Sequence, residues 1–392
     1  MSDYVRTDGL NSQGNKQNIF VLLLIGLSYN LEHSLSGAVS PTLRHALNHL
    51  AIEMQAEFPK TLTTFFKKCE EPVDSWFPYP IPPEFNPQSS LLYDGTLSEE
   101  AQEYCFYITE RIGVSTRQQH NLPQSALDNL LILDTLDRLR HEDDRSAAQK
   151  YYVSLRSFLI SHSWITGRHV RETDFDYALQ EEIVKFYEES PVQAGDDVYT
   201  CDYCGILQFR DGRLYGIKPD YCYDHPINAP HVHRERAPHN LRRLRVGIHL
   251  RTFLPGQAEL RLFDWADDLR ADYPDFIDEP ERYPGLDACD LCLTFSDGEI
   301  WGIDVKDHKS PHSLTPHIQP IYGEYTHTFY VIPDRRIEAN SEYMEVLKGK
   351  VGHLPGNLQV EGETDFRYRV ETKLEQLRKK ATRSRKQQKG NF

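Results

Sequence analysis

Segment 290–306 constrains the fold of this chain more strongly than any other stretch of its sequence. Two apolar runs with alternating pattern flank a Ser-Asp-Gly turn, which predicts a β-hairpin. A three-residue loop sets a register in which Asp290 pairs with Asp304. Because side chains alternate along a strand, Asp304 and Lys306 then lie on the same face as Asp290. The sequence thus predicts two carboxylates and one ammonium group at one end of a hairpin.

These side-chain types are the ones that metal-assisted hydrolysis of a phosphodiester requires. Carboxylate oxygens bind Mg²⁺ or Mn²⁺ and leave positions for water and a phosphate oxygen. The metal stabilises developing charge and lowers the pKa of a bound water, which a neighbouring lysine can polarise. Three polar groups beside an apolar strand are costly unless a cation compensates them. We therefore predict a magnesium site at Asp290 and Asp304 with Lys306 beside it, and a charged strand end at the surface is the alternative.

The pattern of the chain changes near residue 193, which predicts several domains with a mixed architecture. Helical periodicity dominates before that point, with predicted helices at 40–54, 98–112, 124–139, 145–161 and 172–189. Short β patterns and turns dominate after it. We expect an α+β protein with a helical domain at 1–195, a zinc ribbon at 196–235, an α/β domain at 236–350, and a C-terminal extension with a basic tail at 351–392.

Four metal-ligating side chains are close together in the sequence at the predicted ribbon. They are Cys201, Cys204, Cys222 and His225. A predicted hairpin with an Asp-Gly turn brings the two pairs together, and three thiolates with one imidazole form a closed tetrahedral zinc site. A closed site leaves no position for a substrate, so the predicted zinc is structural. His231 or His233 in place of His225, or ordinary buried thiols without metal, are the alternatives.

The remaining cysteines and the apolar runs indicate the compartment. Cys289 and Cys292 form a second CxxC pair, but we interpret them as small core residues because they belong to a strand. An odd total of seven cysteines, with no recognisable secretory signal, favours a reducing, cytoplasmic location. The longest apolar run, 19–27, is shorter than the roughly 20 residues of a membrane span, so we expect no membrane association.

The net charge of −15 excludes a uniformly basic surface that coats nucleic acid. Basic residues are nevertheless concentrated in two places, an arginine-rich stretch near residue 240 and the tail 371–392, which carries +6. Such clusters bind phosphates without reading sequence. The predicted nucleic-acid contacts are Arg242, Arg243, Arg245 and Lys309. Solvated loops and a solubilising tail are the alternatives.

The order of helix, hairpin and (D/E)-x-K resembles the PD-(D/E)xK restriction-endonuclease-like superfamily. By this resemblance Asp290 matches the first metal-binding acid, Asp304 the second, and Lys306 the lysine. Glu259, on the preceding predicted helix, matches the optional helical acid. The proline expected before the first acid lies further upstream, which leaves Asp287 as a competitor of Asp290. The resemblance implies a restriction-endonuclease-like fold for the domain at 236–350.

Four short motifs resemble, more narrowly, the endonuclease associated with pPIWI-RE proteins of prokaryotic defence systems. They are LRRLRVGI at 241–248, PGQAE at 255–259, YPGLD at 283–287 and IDVKD at 303–307. This resemblance implies a metal-dependent DNA endonuclease of an antiphage or plasmid defence system, with a PIWI-type protein and a helicase as partners. The alternatives are a catalytically inactive nuclease-fold adaptor that binds nucleic acid or proteins, and an RNA nuclease.

Overall fold

The computed structural model describes residues 17–33, 39–111, 122–210, 213–217, 224–352 and 354–389. Helices dominate the N-terminal half, and several sheets follow, which confirms the predicted α+β class. No helix among these residues is long and apolar enough to cross a membrane. The predicted ligand Cys222 and the predicted Asp-Gly turn at 211–212 lie outside the described residues.

The α-helices of five or more residues occur along the whole chain. They are α1 (Gln17–Glu32), α2 (Pro41–Met54), α3 (Leu62–Cys69), α4 (Glu99–Arg111), α5 (Gln124–Arg140), α6 (Arg145–Ser161), α7 (Gly167–Arg171), α8 (Tyr177–Lys185), α9 (Leu254–Asp272), α10 (Asp334–Ala339), α11 (Tyr343–Val351) and α12 (Glu363–Lys389). Shorter or non-α segments are Gln55–Glu57, Val73–Ser75, Val246–Ile248, His249–Phe253, Pro284–Asp287, Pro311–Leu314 and Thr315–His317.

The strands of the described residues form five sheets. They are β1 (Leu92–Tyr93), β2 (Thr96–Leu97), β3 (Trp164–Ile165), β4 (Tyr187–Glu189), β5 (Asp197–Cys201), β6 (Gly205–Ile206), β7 (Gln208–Arg210), β8 (Arg213–Tyr215), β9 (Asp224–His225), β10 (Val232–Arg236), β11 (Arg242–Leu244), β12 (Glu281–Arg282), β13 (Leu291–Thr294), β14 (Ile300–Val305), β15 (His327–Ile332) and β16 (Leu358–Gly362). Their orders are β1-β2, β3-β11-β4, β10-β5-β6, β7-β8-β9 and β12-β13-β14-β15-β16.

Contacts divide the chain into two compact units. The first contains Met1–Thr135 and Ser161–Phe253, and the second contains Leu136–Ile160 and Leu254–Phe392. The bounds of these units differ from those of the four predicted segments. Most of α6, which lies within the predicted segment 1–195, belongs to the second unit.

Among the described residues, the first unit has an apolar helical core and four small sheets. Its edge-to-face aromatic contacts centre on Phe20, whose ring lies 5.3 Å from that of Phe77 and 5.0 Å from that of Phe85. α1 and α2 approach closely at Gly26, where a Cβ atom would lie 2.6 Å from the Leu43 backbone. The sheets built from β3 to β11 carry the Cys/His residues and the arginine-rich stretch.

The second unit is built on the five-stranded mixed sheet. β12, β13 and β14 are antiparallel, whereas β14, β15 and β16 are parallel. Leu291 pairs with Ile303 across β13 and β14, and the Asp290 N–H donates to the Ile303 carbonyl at 2.9 Å. This register aligns Asp290 with Asp304 and confirms the hairpin predicted from the sequence.

Helices cover this sheet on both faces, as the apolar contents of its strands require. On one face Trp301, Phe329 and Phe366 of α12 form a chain of ring contacts, with centroid separations of 5.0 and 5.1 Å. On the other face Tyr330 and Ile332 belong to a buried cluster that includes residues of α11. The predicted strands therefore form the centre of a three-layer unit.

Two local predictions were wrong. The predicted helix 172–189 contains a shorter helix, α8, and then the strand β4, which pairs with β11. The α8 helix begins where the Asp176 side chain accepts from the Leu179 N–H, and β-sheet pairing overrides helical propensity after its end. The tail, predicted to fray after Leu377, continues as α12 to residue 389, because 378–389 contains no glycine or proline.

Candidate functional site

Asp290, Asp304 and Lys306 meet where β13 begins and β14 ends. The Lys306 Nζ lies 2.8 Å from Asp304 Oδ1. Asp290 Oδ2 accepts a hydrogen bond of 2.6 Å from the Val305 N–H, which lies between the other two residues in sequence. Asp290 is buried, whereas the side chains of Asp304 and Lys306 are 16% and 23% exposed. The structure therefore brings the predicted triad together, with Asp304 and Lys306 partly accessible from solvent.

Burial and neighbouring charges both perturb the pKa values of this triad. Burial raises the pKa of Asp290 well above its ordinary value, and the charges of Glu259 and Asp304 raise it further. Burial alone would lower the pKa of Lys306, but Asp304 and Asp290 outweigh it and raise that pKa above its ordinary value. Lys306 is therefore a cation at neutral pH, and Asp290 lies in a field that opposes its ionisation.

Glu259 lies on α9 in a buried ion pair. Its Oε1 accepts from Arg156 Nη2 at 2.9 Å, and its Oε2 accepts from the Tyr283 hydroxyl at 2.8 Å. Burial raises the pKa of Glu259 above its ordinary value, and Arg156 is the largest opposing influence. Both carboxylate oxygens of Glu259 are thus engaged, and its charge is one of the influences that raise the pKa of the buried Asp290.

Asp287 lies in a turn with unusual backbone geometry. Tyr283, Gly285, Leu286 and Asp287 all have positive φ, between 50° and 69°. Burial raises the pKa of Tyr152 well above its ordinary value, and the adjacent Asp287 is the next contribution. Asp287 also adds to the negative field that raises the pKa of Asp290. It is therefore a neighbour of the triad, outside the strand register that aligns Asp290 with Asp304.

The donor set fits a divalent cation chemically. Four carboxylates (Glu259, Asp287, Asp290 and Asp304) have two cationic side chains beside them, Arg156 and Lys306, and the pKa of Asp290 is raised first by burial and then by the neighbouring acids. Among the described residues, however, the carboxylates do not form a cluster of three donor atoms within 4.8 Å. Asp290 and Asp304 would hold Mg²⁺ or Mn²⁺ as two carboxylates completed by water and substrate, which is the usual manner for Mg²⁺.

A second donor set lies in the first unit. Donor atoms of Cys201, Cys204 and His225 lie within 4.8 Å of one another, and all three residues are buried. The separation of Cys204 Sγ and His225 Nε2 is 3.3 Å, and the Tyr203 N–H donates to Cys201 Sγ at 3.3 Å. Gly205 has a φ of 77°, so the turn after Cys204 needs glycine.

His231 and His233, the predicted alternatives to His225 as a ligand, lie in different surroundings. His233 Nε2 lies 2.6 Å from Asp202 Oδ1, and the His231 ring centroid lies 5.6 Å from that of His225. Neither belongs to the group of three close donors. These three soft and imidazole donors suit zinc, with the fourth predicted ligand, Cys222, outside the described residues.

The predicted nucleic-acid contacts belong to different units. Arg242, Arg243 and Arg245 lie at or next to β11 in the first unit, and Lys309 lies in the loop after β14 in the second. Arg243 pairs with Glu188 at 2.8 Å, and Arg245 Nε donates to the Lys185 carbonyl at 2.7 Å. At least two of these arginines therefore have structural partners.

Arg156 and Tyr283 were not identified as site residues from the sequence. Arg156 lies about a hundred residues before Glu259, on a helix predicted to belong to another domain. The sequence does contain a local signal for Arg156, because Tyr152 and Arg156 are four residues apart and therefore lie on one face of a helix. It does not reveal which carboxylate the arginine meets.

Comparisons with known proteins identify one part of the chain. Neither the curated proteins nor the solved structures include a significant match. Residues 256–378, about a third of the chain, match a family described as "REase associating with pPIWI_RE", where REase denotes a restriction endonuclease. The matched stretch includes Glu259, Asp287, Asp290, Asp304 and Lys306. This part of the chain is therefore similar to the restriction endonucleases associated with pPIWI-RE proteins.

Proposed function

We propose that the chain is a metal-dependent DNA endonuclease that hydrolyses phosphodiester bonds in a defence system with a PIWI-type partner. One observation carries the proposal: Asp290, Asp304 and Lys306 converge on a hairpin within the stretch that matches a restriction-endonuclease family. The pattern is that of the PD-(D/E)xK superfamily, to which we assign this domain as part of the proposal.

Asp290 and Asp304 would hold a divalent cation, Mg²⁺ or Mn²⁺. When bound, the cation supplies charge stabilisation at the phosphate and lowers the pKa of water. The Val305 N–H fixes the Asp290 carboxylate, so this ligand is oriented before substrate arrives. The Lys306 ammonium lies 2.8 Å from Asp304 Oδ1, so it would donate to the attacking water or to a phosphate oxygen beside the cation.

The basic end of α12 would contact the DNA backbone. Leu377 is the last buried residue among the described side chains of α12, and the described side chains after it include Arg378, Lys379, Lys380 and Arg383. No acidic residue occurs after Glu375 in the sequence. A helix of this composition attracts phosphates without selecting a sequence.

We also propose a structural zinc ion at Cys201, Cys204 and His225, with Cys222 as the fourth ligand. The support is the buried arrangement of the three described donors. In a closed site of this kind the ion contributes folding energy and takes no part in chemistry.

The test compares full-length protein with its Asp304→Asn and Lys306→Ala variants on plasmid DNA, with Mg²⁺ or Mn²⁺. We expect each variant to lose about 100-fold or more in cleavage rate, in line with the removal of one transition-state contact. Asp268→Asn is the matched control, because Asp268 is an exposed acid on α9 in the same unit. Wild-type rates in both site variants would refute the proposal.

The same assay, extended to an RNA substrate and to the partner protein, decides between the alternatives. Addition of the PIWI-type protein tests whether cleavage requires the partner. DNA binding without cleavage at any metal concentration identifies an inactive adaptor, whereas cleavage of RNA but not DNA identifies an RNA nuclease.

A further inference from the structure

The turn from Tyr283 to Asp287 leads directly to Asp290 and is held in an unfavourable backbone conformation. Three of its non-glycine residues, Tyr283, Leu286 and Asp287, have left-handed φ values of 50°, 57° and 69°. Such residues persist only where surrounding contacts impose the conformation. The contacts that impose it here therefore control the entry into β13.

Gln149 of α6 makes two of these contacts with a single side chain. Its Nε2 donates to the Tyr283 carbonyl at 2.7 Å, and its Oε1 accepts from the Leu286 N–H at 2.7 Å. The side-chain amide thus replaces a peptide group and spans the turn from one side to the other. Arg140 adds a weaker contact of 3.2 Å to the Leu286 carbonyl.

Tyr283, which accepts a hydrogen bond from Gln149, also connects the turn to Asp290 of the triad. The Tyr283 N–H donates to the Asp290 carbonyl at 2.8 Å, and the Tyr283 hydroxyl donates to Glu259 at 2.8 Å. The Tyr283 side chain is fully buried, with its ring against Phe263 and Tyr152. A shift of the turn would consequently move the Asp290 backbone.

We propose that Gln149 is a positioning residue for Asp290: its side-chain amide holds the left-handed turn between β12 and β13 and thereby sets where the first metal-binding acid lies. The inference rests on the proposed function for the role of Asp290. Gln149 lies outside the stretch 256–378 that matches the endonuclease family, so the nuclease centre extends to a helix about 110 residues earlier in the sequence.

The test uses full-length protein with Gln149→Leu, which keeps the side-chain size and removes both hydrogen bonds. Lys150→Leu is the control, because Lys150 is the exposed neighbour on the same helix. Mn²⁺ binding without nucleic acid is measured by electron paramagnetic resonance, with Asp290→Asn defining the signal that belongs to the site. We expect Gln149→Leu to weaken this binding and to lower kcat by about 10- to 100-fold, the range for groups that orient metal ligands, while KM for DNA and zinc content stay unchanged.

Two results would overturn the proposal: unchanged Mn²⁺ affinity and kcat in Gln149→Leu, or a loss in which KM, zinc content and circular dichroism change together. If Gln149→Leu does not fold, Gln149→Asn decides, because it keeps the polarity but is too short to span the turn. The proposed function can fail separately. A wild-type protein that binds Mn²⁺ at Asp290 and cuts nothing, with binding weakened by Gln149→Leu, retains the positioning role and refutes the nuclease.

Discussion

The buried ion pair between Arg156 and Glu259 offers a quantitative prediction. Their side chains are only 12% and 3% exposed, and the charged atoms lie 2.9 Å apart. Arg156→Met keeps most of the volume but leaves the Glu259 charge without its cation. Removal of one partner from a buried pair costs about 3–5 kcal/mol. We expect the lower end, because the Tyr283 hydroxyl still donates to Glu259. About 3 kcal/mol corresponds to a roughly hundredfold change in the unfolding equilibrium.

The same variant has a predicted pH dependence. Burial raises the pKa of Glu259 in the folded chain, and loss of Arg156, which opposes that rise, raises it further. The folded state then binds a proton more tightly than the unfolded state, so the proton's contribution to stability is present below the ordinary pKa and is lost as pH rises through the raised one. The stability deficit of Arg156→Met is therefore smallest below the ordinary pKa of a glutamate and grows as pH rises through the raised pKa of Glu259.

Hydrogen–deuterium exchange of α6 and α9 peptides, corrected for the intrinsic effect of pH on exchange, measures this deficit within the second unit. The double variant Arg156→Met with Glu259→Gln removes the uncompensated charge and should recover most of the loss. A deficit that does not vary with pH, or a double variant as unstable as the single one, would show that the pair does not act through buried charge.

Two further predictions concern the other proposed sites. Elemental analysis should find about one zinc per chain, lost when Cys201→Ser and Cys204→Ser are combined; a full zinc content in that variant would place the ion elsewhere. For DNA binding, Lys379→Ala with Arg383→Ala should reduce the slope of log affinity against log salt concentration by about 1.8, at about 0.9 per phosphate contact. An unchanged slope would remove the end of α12 from the DNA interface.

The hairpin and several helices were predictable from the local sequence pattern alone. The register that aligns Asp290 with Asp304 was predicted from the alternation of apolar and polar residues and from a three-residue turn, and the structure shows the same register. Predicted helices such as 124–139 and 145–161 agree closely with α5 and α6. Each of these depends on neighbours in sequence, whose spacing is visible in the chain itself. The helix prediction was wrong where a strand distant in sequence forms a pair: Tyr187–Glu189, predicted as helix, pairs with β11 as the strand β4.

The sequence by itself determined which residues form the acidic hairpin and which helices surround it, because periodicity and turn chemistry are local. Only the tertiary structure decided that Arg156 meets Glu259 and that Gln149 holds the turn before Asp290. A buried charge or a strained backbone needs a partner, but packing chooses that partner from anywhere in the chain. For that reason the alignment of Asp290 with Asp304 was predictable from the sequence, whereas the contacts of Arg156 and Gln149 were not.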